Sequence, residues 1–138
     1  MRTGVPVSEI MTRELITLNV KDNLNEAKTI FEENSLRHIP IVSDKTIVGM
    51  LSYSDLLKVS YADVSEDDHN IETFVYDWFT IQQVMTKNLF VVSPSTTVKE
   101  VAELLAKKEF HALPVVEDGE LVGIVTTTDL ISYLVSQM

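Results

Sequence analysis

The chain of 138 residues contains no cysteine. Disulfides, thiolate nucleophiles and cysteine-based metal sites are therefore excluded. The missing disulfide framework agrees with a reducing compartment. Basic residues are scarce, with 11 Lys and Arg against 21 Asp and Glu, for a formal net charge of −10. Binding to nucleic acid or to anionic membrane is driven by clustered Lys and Arg, so neither is an expected partner. An anionic ligand would have to meet a local cationic pocket. No stretch approaches the roughly 18 apolar residues of a membrane helix, and the N-terminus lacks the charged-then-apolar signal pattern. The expectation is a soluble cytoplasmic protein. Catalytic signatures are missing too: there is no Gly-x-Ser-x-Gly elbow, no Walker loop and no Rossmann glycine cluster. His38, His69 and His111 lack the close spacing of a zinc site, and Glu66-Asp67-Asp68-His69 reads as a solvated charge run. Neither a catalytic nor a metal residue is expected.

What the chain does contain is a duplication. Gly49-Met50-Leu51-Ser52-Tyr53-Ser54-Asp55-Leu56 returns as Gly123-Ile124-Val125-Thr126-Thr127-Thr128-Asp129-Leu130. The shift from Gly49 to Gly123 also carries Met11-Thr12 onto Met85-Thr86, Glu26 onto Glu100, Pro40 onto Pro114 and Asp44 onto Asp118. No gap is needed. A duplicated unit that keeps its hydroxyls and its Asp in both copies points to a two-fold binding architecture. An enzyme more often needs one asymmetric catalytic cluster.

Each copy reads as strand, helix, strand, strand, helix. In residues 1–62, Leu15 to Leu18 is a short apolar run suited to a strand. Asn23-Leu24-Asn25-Glu26 resembles a capping box. Leu24, Ala27, Ile30 and Phe31 follow at helical spacing. Ile39 to Val42 and Ile47 to Leu51 form a strand pair around Ser43-Asp44-Lys45, and a last helix starts near Ser54 or Asp55. In residues 81–138, Leu89 to Val92 is the strand and Thr97-Val98-Lys99-Glu100 the capping box. Leu113 to Val116 and Leu121 to Val125 are the strand pair, and Asp129 to Ser136 the closing helix. A unit of about 55 residues is marginal alone, and two units packed together would share a core. Residues 63–80 separate the copies as an acidic, then aromatic, linker helix. Its stripe Ile71, Phe74, Val75, Trp78 and Phe79 falls on one helix face. It covers the pair or makes a subunit contact.

Two elements can carry chemistry. Gly49 and Gly123 interrupt apolar strands, where a glycine lets a ligand or another backbone come close. Ser52 with Ser54, and Thr126 with Thr128, follow; Asp55 and Asp129 then fall at a helix N-terminus, which favours a carboxylate. An ionised Asp is acceptor-only and suits a vicinal diol such as a ribose presents. The alternative is that Ser54 and Thr128 cap the helices and the two Asp add to the cap. The second element is Leu36-Arg37-His38-Ile39-Pro40, matched by Phe110-His111-Ala112-Leu113-Pro114. Arg37 and His111 stand three residues before each proline, and His38 adds another potential cation. Arg prefers planar recognition of phosphate or carboxylate. The alternatives are that Arg37 pairs with Glu32 or Glu33 and that His111 is a satisfied, partly buried histidine.

These features resemble a tandem CBS-domain pair, or Bateman module, over about Val7 to Val135. The markers are Ile10-Met11-Thr12 with Val84-Met85-Thr86, the two x-x-x-Pro turns and the two Gly-x-x-Ser/Thr-x-x-Asp segments. The resemblance implies an α/β (α+β) fold of two β-α-β-β-α repeats with pseudo-two-fold symmetry and two clefts between the repeats. It implies that Ser52 with Asp55, and Thr126 with Asp129, hold ribose hydroxyls and that Arg37 and His111 face phosphate. The adenine would lie on Leu89 and Phe90 at the Asp55 site, and on Leu15 and Ile16 at the Asp129 site. The implied function is a non-enzymatic regulatory module and energy sensor binding AMP, ADP or ATP, with no obligatory cofactor. The alternatives are a ligand-free interaction or oligomerisation module, or a sensor of S-adenosylmethionine or NAD. Such modules commonly pair into homodimers and regulate an attached protein. Here no attached domain is seen, and the start at Met1 with a complete second repeat argues against a trimmed enzyme.

Overall fold

The computed structural model describes residues 3–62, 76–108 and 110–138. They form two compact units, one of Met1–Leu15 with Leu89–Met138 and the other of Ile16–Asn88. The boundaries of these units are not those of the sequence repeats. The lead-in to the first copy belongs with the second copy's sheet, and the lead-in to the second copy belongs with the first copy's sheet. A mixed α+β architecture results in each.

The Ile16–Asn88 unit is built on strands β1 (Leu18–Asn19), β2 (His38–Ser43) and β3 (Thr46–Ser52), in the order β1-β2-β3. β1 runs parallel to β2, and β2 pairs antiparallel with β3. Helix α1 (Leu24–Asn34) links β1 to β2. Asn23 caps it by accepting the Glu26 N–H at 2.9 Å, as the sequence leads one to expect. The buried face is Leu24, Ala27 and Phe31. Helix α2 (Tyr53–Ala62) follows β3 directly. Leu24, Phe31, Ile39, Ile41, Leu51, Leu56, Tyr76 and Ile81 close the core. Each such side chain contributes roughly 1.5–3 kcal/mol through burial.

The Met1–Leu15/Leu89–Met138 unit contains α4 (Val98–Lys108), β4 (Ala112–Glu117), β5 (Glu120–Thr126) and α5 (Thr127–Ser136). Thr97 and Glu100 form the expected capping box at 3.1 and 3.4 Å. The β4–β5 turn places Asp118 and Gly119 at φ 52° and 80°, as a tight two-residue hairpin requires. Both hairpins carry an irregularity at the same place, between Ile41 and Val42 and between Val115 and Val116. The core joins Val7 and Met11 to Val92, Val101, Leu105, Leu113, Val115 and Val125.

Three expectations need correction. The strand read at Leu15 to Leu18 pairs only from Leu18, and the one read at Leu89 to Val92 reduces to a single bridge between Val92 and Val115. Proline supplies the reason in both. Val92 N–H donates to Pro114 C=O and Val116 N–H to Val92 C=O. Extending this parallel ladder to Phe90 would need an N–H from Pro114, which has none. Pro40 stops β1 in the same way. Both prolines therefore lie inside strands β2 and β4 rather than in turns.

The third correction concerns the aromatic stripe. Ile71, Phe74 and Val75 lie outside the described residues, as do Glu66, Asp67, Asp68 and His69. Residues 76 and 77 are helical, but Trp78 and Phe79 are not. A new helix, α3 (Ile81–Val84), begins here. Its capping box pairs Thr80 Oγ1 with the Gln83 N–H at 3.1 Å and the Thr80 N–H with Gln83 Oε1 at 2.9 Å. The Thr80 backbone is extended, so the preceding helix has to end before it. Tyr76, which the stripe omitted, is the buried aromatic, while Trp78 is 66% exposed.

Candidate functional site

Each hairpin delivers its second strand straight into a helix, and the candidate residues gather at that junction. Asp55 N–H donates to Ser52 Oγ at 3.0 Å, and Ser52 N–H donates to Asp55 Oδ2 at 3.3 Å. In the other unit Asp129 N–H donates to Thr126 Oγ1 at 3.1 Å, and Thr126 N–H to Asp129 Oδ2 at 2.9 Å. These are reciprocal caps in which Asp stands where Glu or Gln is usual. The capping hydroxyls are thus Ser52 and Thr126, not Ser54 and Thr128, and the helices start at Tyr53 and Thr127. The carboxylates sit in the first helical turn, where the macrodipole favours negative charge.

The residues ahead of the prolines meet this junction from the neighbouring strand. Tyr53 N–H donates to Arg37 C=O at 2.9 Å, and Thr127 N–H to His111 C=O at 3.0 Å. His38 pairs with Ser52 across the sheet, as Ala112 pairs with Thr126. Arg37, His38, Ser52 and Asp55 are therefore neighbours in one unit, and His111, Thr126 and Asp129 in the other. Arg37 and His111 are exposed and His38 is half-buried. Exposure of His111 removes the reading of it as a satisfied, partly buried histidine. Glu32 lies 4.0 Å from Lys28, one turn back on α1, and no described ion pair joins Arg37 to Glu32 or Glu33.

The two strand glycines have a structural explanation. A Cβ on Gly49 would fall 2.8 Å from Met85 Cγ, and one on Gly123 would fall 2.7 Å from Met11 Sδ and 3.1 Å from the Thr12 carbonyl oxygen. The adjacent threonines bridge the same strands. Thr86 and Met50 exchange backbone hydrogen bonds of 2.9 and 3.0 Å, and Thr12 and Ile124 exchange bonds of 2.8 and 3.0 Å. It is the chain's own Met-Thr segments that approach closely. One of these also reaches a candidate site: Thr12 Oγ1 lies 3.3 and 3.4 Å from the two Asp129 oxygens. Sequence reasoning gave Thr12 no role, although its repetition at Thr86 was the available signal.

Of the four expected apolar residues, Leu15 lies in the same unit as Asp129 and Ile16 in the unit of Asp55. Leu89 and Phe90 belong to the Asp129 unit. Phe90 packs on Phe110 at 5.5 Å between ring centroids, with Lys108 Nζ 5.1 Å above its ring. A groove of about 440 Å³ lies in the same unit, lined among others by Val91, Ser93, Glu100, Leu104 and Lys107. It includes none of the candidate residues. Its two carboxylates, with a single ammonium, make it a poor receptor for an anion, so the capped helix starts remain the better candidates.

Comparison with known proteins matches these features to a family. The family model of the CBS domain matches residues 7–62 and 81–136. Among solved structures, CBSX2 in complex with AMP superposes with a TM-score of 0.80 at 26% identity, covering 97% of this chain and 98% of that one; CBSX2 is a CBS-pair protein from Arabidopsis thaliana. The CBS domain pair of protein MJ0100, in complex with 5'-methylthioadenosine and S-adenosyl-L-methionine, gives 0.78 at 25% identity, covering 97% and 98%. An uncharacterized Methanocaldococcus jannaschii protein, MJ1225, is 30% identical over 94% of this chain, which spans 42% of that relative. The chain spans only 23% of a homoserine O-acetyltransferase from Methanohalobium evestigatum and 22% of an inosine-5'-monophosphate dehydrogenase from Korarchaeum cryptofilum. This chain belongs to the CBS-domain family, as a CBS pair.

Proposed function

We propose that this CBS pair is a non-enzymatic regulatory module that binds an adenine nucleotide, AMP being the first candidate. The observation that carries the reading is the doubled junction. Each unit holds an Asp carboxylate in the first turn of a helix, fixed by the N–H of the capping Ser52 or Thr126, beside a strand that Arg37 or His111 immediately precedes. A carboxylate suits a ribose diol, and a guanidinium suits a phosphate. The complexes of CBSX2 with AMP and of the MJ0100 pair with 5'-methylthioadenosine and S-adenosyl-L-methionine support an adenosine-containing ligand. In this reading Ser52, Asp55, Thr126 and Asp129 address ribose, Arg37, His38 and His111 face phosphate, and Leu15, Ile16, Leu89 and Phe90 contact adenine. Regulation follows if the ligand binds one conformation of the pair better than another, by no more than that differential affinity. The protein is cytoplasmic and homodimeric in this reading.

S-adenosylmethionine is the second reading, favoured by the MJ0100 complex. It shares the ribose but carries an α-carboxylate and an α-ammonium in place of the phosphate, so Arg37 would meet an amino-acid end of no net charge rather than a phosphate of nearly two negative charges.

Thermal shift and calorimetry with AMP, ADP, ATP, S-adenosylmethionine and NAD test the proposal. A ligand at a hundred times its dissociation constant stabilises by about 2.7 kcal/mol. Asp55→Asn and Asp129→Asn are the informative variants, because the amide oxygen can still accept the capping N–H while the charge is lost. Each should weaken one binding step by roughly ten-fold or more. Arg37→Gln should weaken AMP more than S-adenosylmethionine, whose amino-acid end offers a single carboxylate beside an ammonium. Absence of any shift at millimolar ligand would favour a ligand-free interaction module.

A further inference from the structure

The two junctions are not equivalent. Asp129 receives the Thr126 N–H at 2.9 Å, and the Thr12 hydroxyl lies at nearly equal distances, 3.3 and 3.4 Å, from its two oxygens. A hydroxyl so placed lies across the mouth of the carboxylate. A vicinal diol addresses the same two acceptor oxygens. Thr86 occupies the matching place beside Asp55 in the duplication, and its backbone makes the matching two bonds, to Met50. Among the described hydrogen bonds, however, its side chain does not reach Asp55, whose own bond from Ser52 N–H is the longer at 3.3 Å.

Thr12 is also fixed by its main chain. It exchanges two backbone bonds with Ile124, and the segment ahead of it is seated by Val7 N–H on Thr96 C=O at 2.7 Å and Val98 N–H on Val5 C=O at 2.8 Å. Met11, next to it, is packed over Gly123. One residue therefore belongs both to the N-terminal segment's seat on β5 and to the carboxylate.

We propose that Thr12 is a positioning residue that makes the two sites unequal: its hydroxyl stands where a ligand hydroxyl would bind Asp129, whereas among the described residues no side-chain hydroxyl lies across the Asp55 carboxylate. This rests on the reading of Asp55 and Asp129 as ribose acceptors. A diol-bearing ligand fills the Asp55 site first. At Asp129 it must turn the Thr12 hydroxyl aside, which needs only a change of χ1 rotamer. The contact is long for an O–H···O bond, so the handicap is modest, about three- to ten-fold in affinity. Filling the Asp129 site also removes a side-chain tie of the N-terminal segment, and signals ligand to the residues around Met11 and Thr12.

Calorimetric titration with AMP tests this. The wild type should bind in two steps separated by about three- to ten-fold. With Asp55→Asn as background, Thr12→Val should tighten the remaining step to close that gap, and Thr12→Ser should leave it as in the wild type. The effect should vanish with Asp129→Asn as background, and Thr86→Val should change neither step. Equal steps in the wild type, or weaker binding in Thr12→Val, overturn the proposal. A second measurement needs no ligand. The melting-temperature shifts of Thr12→Val and Asp129→Asn should fail to add in the double variant, while those of Thr86→Val and Asp55→Asn add. If the wild type takes up neither AMP nor S-adenosylmethionine, the nucleotide reading falls. The melting cycle then decides whether Thr12 positions Asp129, and additive shifts overturn it.

Discussion

Met85 lies over Gly49 so closely that a Cβ there would come within 2.8 Å of Met85 Cγ. Met11 bears the same relation to Gly123. Both methionines are 8% exposed, so they are part of the packing and not loose cover. Gly49→Ala should therefore destabilise by about 1–3 kcal/mol, the usual range for overpacking. The flexible thioether is what must yield, so the cost should shrink when Met85→Ala is added, and the two penalties should fall short of their sum. Gly123→Ala also meets the Thr12 carbonyl at 3.1 Å. That atom is held in the bridge to Ile124, so truncating Met11 should relieve Gly123→Ala less completely. Urea melts of the four single variants and two doubles check this; additive penalties at Gly49 and Met85 would contradict it.

The caps make a separate prediction. Ser52→Ala and Thr126→Ala each leave an Asp N–H without its side-chain acceptor. A lost N-cap costs about 0.5–2 kcal/mol. Ser54→Ala and Thr128→Ala should stay within roughly 0.5 kcal/mol, as surface substitutions do. Helix stability by thermal melting separates the two pairs, and a larger loss at Ser54 than at Ser52 would mean the cap is misassigned.

The legible part of this protein was whatever the duplication repeated. Two helices with apolar spacing, the Asn23 and Thr97 caps, both hairpins and the hydroxyl–Asp junctions stand in the sequence as local patterns, and a second copy doubles each signal. What was not legible depends on partners distant in sequence. Leu15 to Leu18 and Leu89 to Val92 look like strands by composition, but the ladder stops where Pro40 and Pro114 lack an N–H. That consequence appears only once the register is known. Gly49 and Gly123 could as well have admitted a ligand as a methionine, until the structure brought Met85 and Met11 to them. The repeat also hides the pairing itself: Met11-Thr12 aligns with the first copy but packs on β5 of the second. Thr12 could be recognised as a repeated residue, not as a neighbour of Asp129, because 117 residues separate them.

A turn offers a gain in stability. Helix α1 ends at Ser35, which is left-handed at φ 53° and exposed. An L-residue in that conformation is strained by roughly 1–2 kcal/mol, a cost glycine avoids. Glycine is also the usual residue at this position. Part of the gain is offset by the greater freedom of glycine in the unfolded chain. Ser35→Gly should therefore raise stability by up to about 1 kcal/mol. The same change at Asp44, left-handed at φ 57° in the first hairpin, should help less, because Asp tolerates this region better than Ser. A lower melting temperature for Ser35→Gly would show that the Ser35 side chain contributes more than its backbone costs.

Tyr76 and Trp78 are two residues apart and have opposite roles. Tyr76 is 2% exposed and packs in the core with Leu24, Leu56 and Ile81, its ring 5.9 Å from Lys28 Nζ. Asp77, next to it, accepts a hydrogen bond from Asn25 Nδ2 at 2.8 Å, which ties the same segment to α1. Truncation of a buried aromatic costs about 3–5 kcal/mol, so Tyr76→Ala should strongly destabilise or unfold the chain. Trp78 projects outward, and Trp78→Glu should change monomer stability by no more than roughly 0.5 kcal/mol. The proposed homodimer gives Trp78 its further consequence. An exposed tryptophan is a favoured interface anchor, and a chain of net charge −10 gains from meeting its copy through an uncharged group rather than through its carboxylates. Trp78→Glu should then convert the dimer to a folded monomer in sedimentation experiments, with its melting curve retained under conditions where the wild type is also monomeric. A dimer that survives Trp78→Glu would move the interface elsewhere, and the apolar side chains of Ile131, Leu134 and Val135, exposed on α5, would be the next to substitute.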